Sequence, residues 1–333
     1  MYAQLILKDH ISSKRGDLIL TGKNYICYMS KGKAWVIAMR LRTLPLSLAG
    51  IIMGTAVAYY GGFWDPLIFA FAVATTILFQ IVSNLANDLG DGVKGTDNAN
   101  RVGPDRMVQK GIISPKEMKY GVILTSILSL ISAGFLIYFG VQGMTSTILW
   151  FYIILALVCV LAAITYTVGK KAYGYHGLGD LMVFLFFGFV SVLGVYSLYS
   201  KAFFYENISL AICVGLLSTA VLNLNNMRDY FNDSKSGKET IVVKIGPDMA
   251  KMYHALLIFV SLISLAYFIS KFNNPILFVA MLPGAILLFH LRKVMKTTSV
   301  KNYDPELKVV ALSTFLLSLT LWGMLIYLKS IGG

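Results

Sequence analysis

Two short polar phrases combine carboxylate and amide side chains at helical spacing. The first, NLANDLGD, covers residues 84–91, and the second, NLNNMRDYFND, covers residues 223–233. On a helix, residues three, four and seven positions apart lie on the same face. In these phrases the residues with that spacing are Asn84, Asn87, Asp88 and Asp91, and Asn225, Asp229 and Asp233. The spacing predicts two oxygen-rich stripes, each one or two helical turns long.

The residue types in the two stripes favour a hard divalent cation. Mg²⁺ prefers oxygen ligands and commonly takes one or two carboxylates together with substrate phosphates. The three cysteines are isolated in the sequence, so it has no Cys/His cluster of the zinc type. Two stripes that face each other and share Mg²⁺ therefore predict a polyanionic ligand, for which diphosphate is the natural candidate.

A purely structural explanation of these residues stays open. Asn and Asp are common helix caps and turn residues, so either phrase alone is explained without a ligand. Two similar phrases at matching helix ends favour a site. The nearby basic residues have the same two explanations, because orientation in a membrane also accounts for them. They are Lys94, Arg101, Arg106, Lys110 and Arg228.

The elements that must position the stripes are membrane helices. Only 14% of the 333 residues are charged, whereas a soluble domain has about 25%. A spanning helix needs about 20 mostly apolar residues. Nine runs of that kind occur, at 43–64, 66–87, 121–140, 147–168, 181–200, 207–227, 252–270, 272–291 and 309–328. The polar phrases lie at the ends of the second and sixth runs, which indicates a repeat of four helices in one orientation.

The distribution of the basic residues predicts how the chain is oriented. When nine spans are threaded, 26 of the 29 Lys and Arg residues fall on one side, and only Lys201, Lys271 and Lys329 fall on the other. The positive-inside rule then places the N-terminus in the cytoplasm. The net charge of +13 is explained by this orientation, and no nucleic-acid partner is expected. We predict an all-α polytopic membrane protein with a cytoplasmic extension, 1–33, and a single membrane domain, 34–330.

Several stretches in addition to the polar phrases resemble the UbiA-type intramembrane aromatic prenyltransferases, and in particular their menaquinone branch. The stretches are RLRTLPLSLAGIIMGTA (40–56), NRVGPDRMVQKGIIS (100–114), YTVGKKAYGYHGLGDLMVFLFFG (166–188) and KETIVVKIG (238–246). The resemblance covers roughly residues 35–328. It implies nine helices around a central cavity that opens to the cytoplasmic side of the cell membrane. Where the broader family often has a third aspartate, this chain has Gly95, and Asp97 follows two residues later.

The resemblance also implies a reaction and its participants. It implies Mg²⁺-dependent transfer of a polyprenyl group from polyprenyl diphosphate to 1,4-dihydroxy-2-naphthoate, with loss of CO₂ and diphosphate, which gives demethylmenaquinone. The metal motifs fall on Asn87, Asp88 and Asp91, and on Asn225, Asp229 and Asp233. Another acceptor of the same family, such as 4-hydroxybenzoate, is the alternative. An ion-coupled transporter is a remote alternative, because transporters favour mid-membrane acids and inverted repeats.

Further residues are assigned as hypotheses about this reaction. Asp88, Asp91, Asp229 and Asp233 hold the metal that stabilises the leaving diphosphate, and Tyr166 meets the allylic cation or a phosphate. The residues expected to contact diphosphate are Lys94, Arg101, Arg228 and Lys170. The loop YGYHGLGD (173–180) is the candidate acceptor loop, through Tyr173, His176 and Asp180.

Overall fold

Membrane-length helices make up most of the chain that the structure describes. The structure is a computed structural model, and it describes residues 20–21, 24–25, 29–95, 103, 105–202 and 205–331. Within these residues, eight helices are long and apolar enough to cross a membrane. A pair of helices bent by 41° (Pro275–Met281 and Gly284–Lys296) provides a ninth if it counts as one span. The predicted all-α membrane fold is therefore confirmed.

The helices follow the predicted spans closely. They are α1 (Lys31–Met39), α2 (Leu44–Tyr60), α3 (Pro66–Lys94), α4 (Pro115–Gly140), α5 (Ser146–Thr165), α6 (Gly179–Ser200), α7 (Ile208–Lys235), α8 (Ile241–Ile245), α9 (Pro247–Ser270), α10 (Gly284–Lys296) and α11 (Tyr303–Ile331). Short 3₁₀ segments are Leu41–Thr43, Tyr173–Tyr175, Tyr205–Asn207, Pro275–Met281 and Val300–Asn302. Leu20–Thr21 and Asn24–Tyr25 pair as two antiparallel strands. The rest of the predicted extension 1–33 lies outside the described residues, apart from residues 29–33.

Local capping sets both ends of α3, which carries the first polar phrase, and the start of α4. The Asp65 side chain accepts hydrogen bonds from the backbone N–H groups of Leu67 and Ile68, and so caps the start of α3. The same helix ends at Gly95, whose φ of 70° suits a residue without a side chain. Ser114 and Glu117 form a reciprocal capping box at the start of α4. The phrase 84–91 therefore occupies the last turns of a continuous α3.

The first span is broken where the chain enters the membrane. Arg40 adopts a left-handed conformation with φ 49° and ψ 53°, which separates α1 from α2. The Asn84 amide of α3 donates to the Met39 carbonyl oxygen at 2.9 Å and to the Thr43 hydroxyl at 3.1 Å. Because the two acceptors flank the break, Asn84 holds the bend in place.

Close backbone contacts fix α6 between α2 and α7. A Cβ atom built on Gly54 of α2 would lie 2.6 Å from the carbonyl oxygen of Val192, and one on Gly215 of α7 would lie 2.7 Å from that of Phe184. Small residues that allow such close approach are typical of helix packing in membranes. The middle of α6, Phe184–Gly194, is a π-helix. Of the spans, α7 is the most buried and α5 the least, so the second polar phrase lies in the interior of the bundle.

Candidate active site

A cavity of about 500 Å³ lies among α2 to α7 and α11. Its walls are apolar side chains, including Phe79, Leu136, Leu155, Phe186 and Leu198. Polar and charged residues line it at the helix ends that the sequence assigns to the cytoplasm. These residues include Asn84, Asn87, Asp91, Arg106, Asn225, Arg228 and Lys238. The cavity thus has one charged end and one apolar end.

Asp91 connects three separate segments at the charged end. Its carboxylate accepts one hydrogen bond from Arg106 Nη2 and one from the Tyr175 hydroxyl, each at 2.8 Å. The ammonium of Lys94 lies 3.9 Å from the centre of the Tyr175 ring, a cation–π distance. The Tyr175 carbonyl oxygen accepts from the backbone N–H of Glu239 at 2.9 Å. Asp91 therefore binds the loops that carry Arg106 and Tyr175, and the loop of Glu239 joins them through Tyr175.

Lys238 brings the second polar phrase to the same place. Its ammonium lies 3.7 Å from an Asp233 carboxylate oxygen and 5.7 Å from the Tyr175 ring centre. Burial lowers the pKa of Lys238, but the negative charges of Asp233 and Asp91 outweigh burial and raise the pKa above its ordinary value. The side chain is therefore a buried, fully protonated cation that lines the cavity. The two polar phrases meet around this lysine.

Arg228 occupies a fixed position among buried acids. Its guanidinium donates to both carboxylate oxygens of Asp229, at 2.9 and 2.7 Å. It also donates to Asp304 at 2.7 Å and to the Asn225 amide oxygen at 2.6 Å. Arg228 is only 2% exposed. The Asp229 carboxylate is thus directed to an arginine of its own helix.

Asp88 has a structural partner that the sequence pattern does not indicate. Its two carboxylate oxygens accept from the backbone N–H groups of Met107 and Val108, at 2.9 and 3.0 Å, and its side chain is fully buried. It does not occur among the described residues that line the cavity. Asp88 therefore anchors the loop that delivers Arg106 to Asp91, although the sequence grouped it with the metal ligands.

Two tyrosines face the cavity behind the charged end. Tyr166 and Tyr173 both line it, and their rings meet edge to face. Burial raises the pKa of Tyr166 to about 12, although the positive charge of Lys238 opposes the change. Burial also raises the pKa of Tyr173, whose hydroxyl donates to the Ala162 carbonyl oxygen at 2.9 Å. Both phenols are therefore neutral at physiological pH.

Several predicted residues lie elsewhere. Lys170 and His176 are exposed, and neither is among the described residues that line the cavity. Asp180 is buried on α6 and accepts a hydrogen bond from the Tyr253 hydroxyl of α9 at 3.1 Å. Arg101 and Asp97 lie outside the described residues. The expected acceptor loop thus brings Tyr173 to the cavity but directs His176 away from it.

The structure also adds residues that the sequence reasoning did not assign. Tyr175 and Lys238 belong to stretches that carried the family resemblance, but nothing in their spacing singled them out. Arg40 and Arg42 line the cavity because the break after α1 turns the chain there. Their signal in the sequence is weak, since RLRTLPL reads simply as the basic flank of a span.

The residues at the charged end fit a magnesium ion in type. Within the described ranges, no three His, Cys, Asp or Glu side chains lie close enough together to hold a metal ion. The oxygen donors at or near the cavity are the Asp91 and Asp233 carboxylates and the Asn87 and Asn225 amides. In this structure they already contact Arg106, Tyr175, Lys238, Thr167 and Arg228. Mg²⁺ is usually bound by one or two carboxylates, waters and substrate phosphates. This donor set suits a metal whose coordination the substrate completes.

Comparison with known proteins agrees with this architecture. The profile of the UbiA prenyltransferase family matches residues 47–319. The 1,4-dihydroxy-2-naphthoate octaprenyltransferase of Escherichia coli (strain K12) is 45% identical over 240 residues, which make up 72% of this chain and 77% of that protein.

Two solved structures share the fold. A UbiA homologue from Aeropyrum pernix K1 in its apo form has a TM-score of 0.66 at 14% identity, over 87% of this chain and 99% of that one. A UbiA homologue from Archaeoglobus fulgidus bound to DMAPP and Mg²⁺ has a TM-score of 0.55 at 16% identity, over 84% and 98%. At these identities the likeness concerns the fold alone.

Proposed function

Since the chain belongs to the UbiA prenyltransferase family and is a multi-pass membrane transferase, we propose that its acceptor is 1,4-dihydroxy-2-naphthoate. The proposed reaction transfers a polyprenyl group from polyprenyl diphosphate and releases CO₂ and diphosphate, which gives demethylmenaquinone. The 45% identity to the Escherichia coli enzyme supports this acceptor. The cytoplasmic membrane is the proposed location.

The observation that carries the proposal is the two-ended cavity. The cations Arg106, Arg228 and Lys238 line its charged end. Charge-assisted hydrogen bonds to phosphate are roughly twice as strong as neutral ones, so this end suits a diphosphate. Leucine and phenylalanine side chains line the remainder and suit an isoprenoid chain. A polyprenyl diphosphate has the same division into a charged and an apolar part.

Magnesium has a defined place in this proposal. Asp91 and Asp233, with the amide oxygens of Asn87 and Asn225, would hold it beside the diphosphate. When bound, Mg²⁺ would neutralise the negative charge that develops on the departing diphosphate. Asp88 and Asp229 support this set indirectly, because they fix the Arg106 loop and Arg228.

The chain's own groups account for the other requirements of the transfer. Arg106 and Lys238, which stays protonated, bind the phosphate oxygens. The apolar walls exclude water, so that the aromatic ring and not water captures the allylic cation. Tyr166, which keeps its proton, can donate a hydrogen bond to the acceptor or present its ring to the cation.

The test measures transfer in membranes that contain the protein. Labelled polyprenyl diphosphate is supplied with 1,4-dihydroxy-2-naphthoate or with 4-hydroxybenzoate. We expect product only with the naphthoate, and a loss of about 100-fold or more in Asp91→Asn, as for removal of other electrostatic groups at reacting centres. The matched control is Asp105→Asn, in the loop that Asp88 anchors, because Asp105 is exposed and, within the described residues, pairs with the exposed Lys110. Product from 4-hydroxybenzoate alone would reassign the acceptor, and full turnover of Asp91→Asn would refute the site.

A further inference from the structure

A second cavity lies at the cytoplasmic surface, away from the substrate cavity. It has a volume of about 460 Å³ and shares no lining residue with the first. The last turns of α10 and the loop that leads to α11 form it. Its lining residues are Phe289, Arg292, Lys293, Lys296, Thr297, Thr298 and Asn302. Three cations, two hydroxyls and an amide thus surround one space, and none of these described residues is acidic.

Two cations of this cavity differ in their partners from several other cations on the same side of the molecule. Lys31, Arg106, Lys110 and Lys244 each have a carboxylate within ion-pairing distance. In the part of the chain that the structure describes, neither Arg292 nor Lys296 has a carboxylate within that distance. The positive-inside rule explains why cations occur on this side. Among the described residues, Glu306 pairs with Lys293 of this cavity and leaves Arg292 and Lys296 without a carboxylate partner.

The loop that closes the cavity is held in place by hydrogen bonds. The Lys251 ammonium of α9 donates to the Thr297 carbonyl oxygen at 2.7 Å. The Thr297 hydroxyl donates to the Lys293 carbonyl oxygen at 2.9 Å. Lys293 itself donates to Glu306, which is 2% exposed and also bonds to His290. Bonds to Lys251 of α9 and Glu306 of α11 therefore hold the end of α10 and the loop that line the cavity.

Its position on α10 points to a lipid. Phe289 lies one turn before Arg292 and Lys293, on the same face of the helix, and it is 75% exposed. An apolar side chain at this depth meets acyl chains, while the cations below it lie at the level of the head groups. Basic pockets between membrane helices on the cytoplasmic side are suited to anionic head groups.

We infer that this cavity binds the phosphate head group of an anionic phospholipid from the cytoplasmic leaflet. Arg292 and Lys296 contact the phosphate, the hydroxyl of Thr298 donates a hydrogen bond to it, and Phe289 packs on an acyl chain. A bound lipid also supplies a counter-charge for Arg292 and Lys296, whereas Lys293 already pairs with Glu306. It should therefore strengthen the packing of α10 on α11.

The test compares lipids that differ only in charge. The purified full-length protein in detergent is titrated with phosphatidylglycerol or with phosphatidylcholine of the same acyl chains, and lipid adducts are counted by native mass spectrometry. A cation near an anionic surface contributes about fivefold in affinity, so Arg292→Gln/Lys296→Gln should bind phosphatidylglycerol about 30-fold more weakly. The matched control is Lys116→Gln/Lys119→Gln, which removes two exposed cations of the same membrane side on α4.

Each outcome has a clear meaning. We expect phosphatidylglycerol to bind and to raise the thermal midpoint in wild type and in the control variant, and to do neither in Arg292→Gln/Lys296→Gln. Equal binding in all three proteins would overturn the inference, as would displacement of the lipid by millimolar inorganic phosphate. Prenyl transfer by the double variant in phosphatidylcholine should match that of wild type. The lipid site and the proposed reaction therefore fail independently.

Discussion

The anchoring role of Asp88 leads to a prediction about one loop. In Asp88→Asn the side chain keeps one oxygen acceptor, but its NH₂ group now faces a backbone N–H. One of the two bonds, to Met107 or to Val108, is therefore lost. A hydrogen bond to a charged group contributes about 1.5–3 kcal/mol. A loss of about 2 kcal/mol in the free energy of local opening corresponds to roughly 30-fold faster amide exchange.

The assay is hydrogen–deuterium exchange with mass spectrometry on a peptide that covers 105–113. Asp105→Asn serves as the control, because an exposed ion pair contributes only about 0–1 kcal/mol and its loss should leave exchange of Met107 and Val108 nearly unchanged. Exchange in α9 and α11 should be the same in all three proteins. Wild-type protection of Met107 and Val108 in Asp88→Asn would refute the anchoring role. Faster exchange throughout the bundle would show a global rather than a local effect.

Three further substitutions test the packing and the charged end. Gly215→Ala places a methyl group against the α6 backbone and should cost about 1–3 kcal/mol. It should lower the thermal midpoint in detergent, whereas Gly134→Ala, at a glycine with open space around it, should not. Arg228→Met leaves the buried Asp229 carboxylate without its cation and should cost about 3–5 kcal/mol; in unfolding experiments Arg228→Lys should fall between it and wild type. Lys238→Met should raise the KM for polyprenyl diphosphate about tenfold or more, as expected for a charged hydrogen bond of at least 1.4 kcal/mol. Lys244→Met, which changes an exposed cation of α8, should leave that KM unchanged.

The membrane spans were predictable because their length is set by the bilayer. Every predicted run coincides with a helix or with the bent pair, since about 20 apolar residues have few alternatives to spanning. The break at Arg40 was not predictable, because a left-handed arginine leaves no local signature. The sequence places α2 correctly but does not show that the chain turns Arg40 into the cavity.

The sequence predicted which helix faces carry the site residues, but not what those residues contact. Helical spacing correctly put Asp88 and Asp91 at the end of one helix, but the two carboxylates have different partners. Asp91 meets an arginine and a tyrosine at the cavity, whereas Asp88 binds the backbone of a loop about 20 residues further along the chain. Spacing within a helix cannot show how that loop returns. For the same reason, helical spacing did not single out Tyr175 and Lys238, which lie in loops.

The backbone contacts of α6 with its two neighbours also bear on isoprenoid length. Beside Gly54 and Gly215, even an added methyl group would come within 2.7 Å of a carbonyl oxygen of α6, so the three helices pack closely there. These helices form one wall of the cavity, and the size of the side chains on that wall sets the space beside it. We therefore expect a change of bulk at Phe186 or Leu198, rather than helix movement, to set how many isoprene units fit.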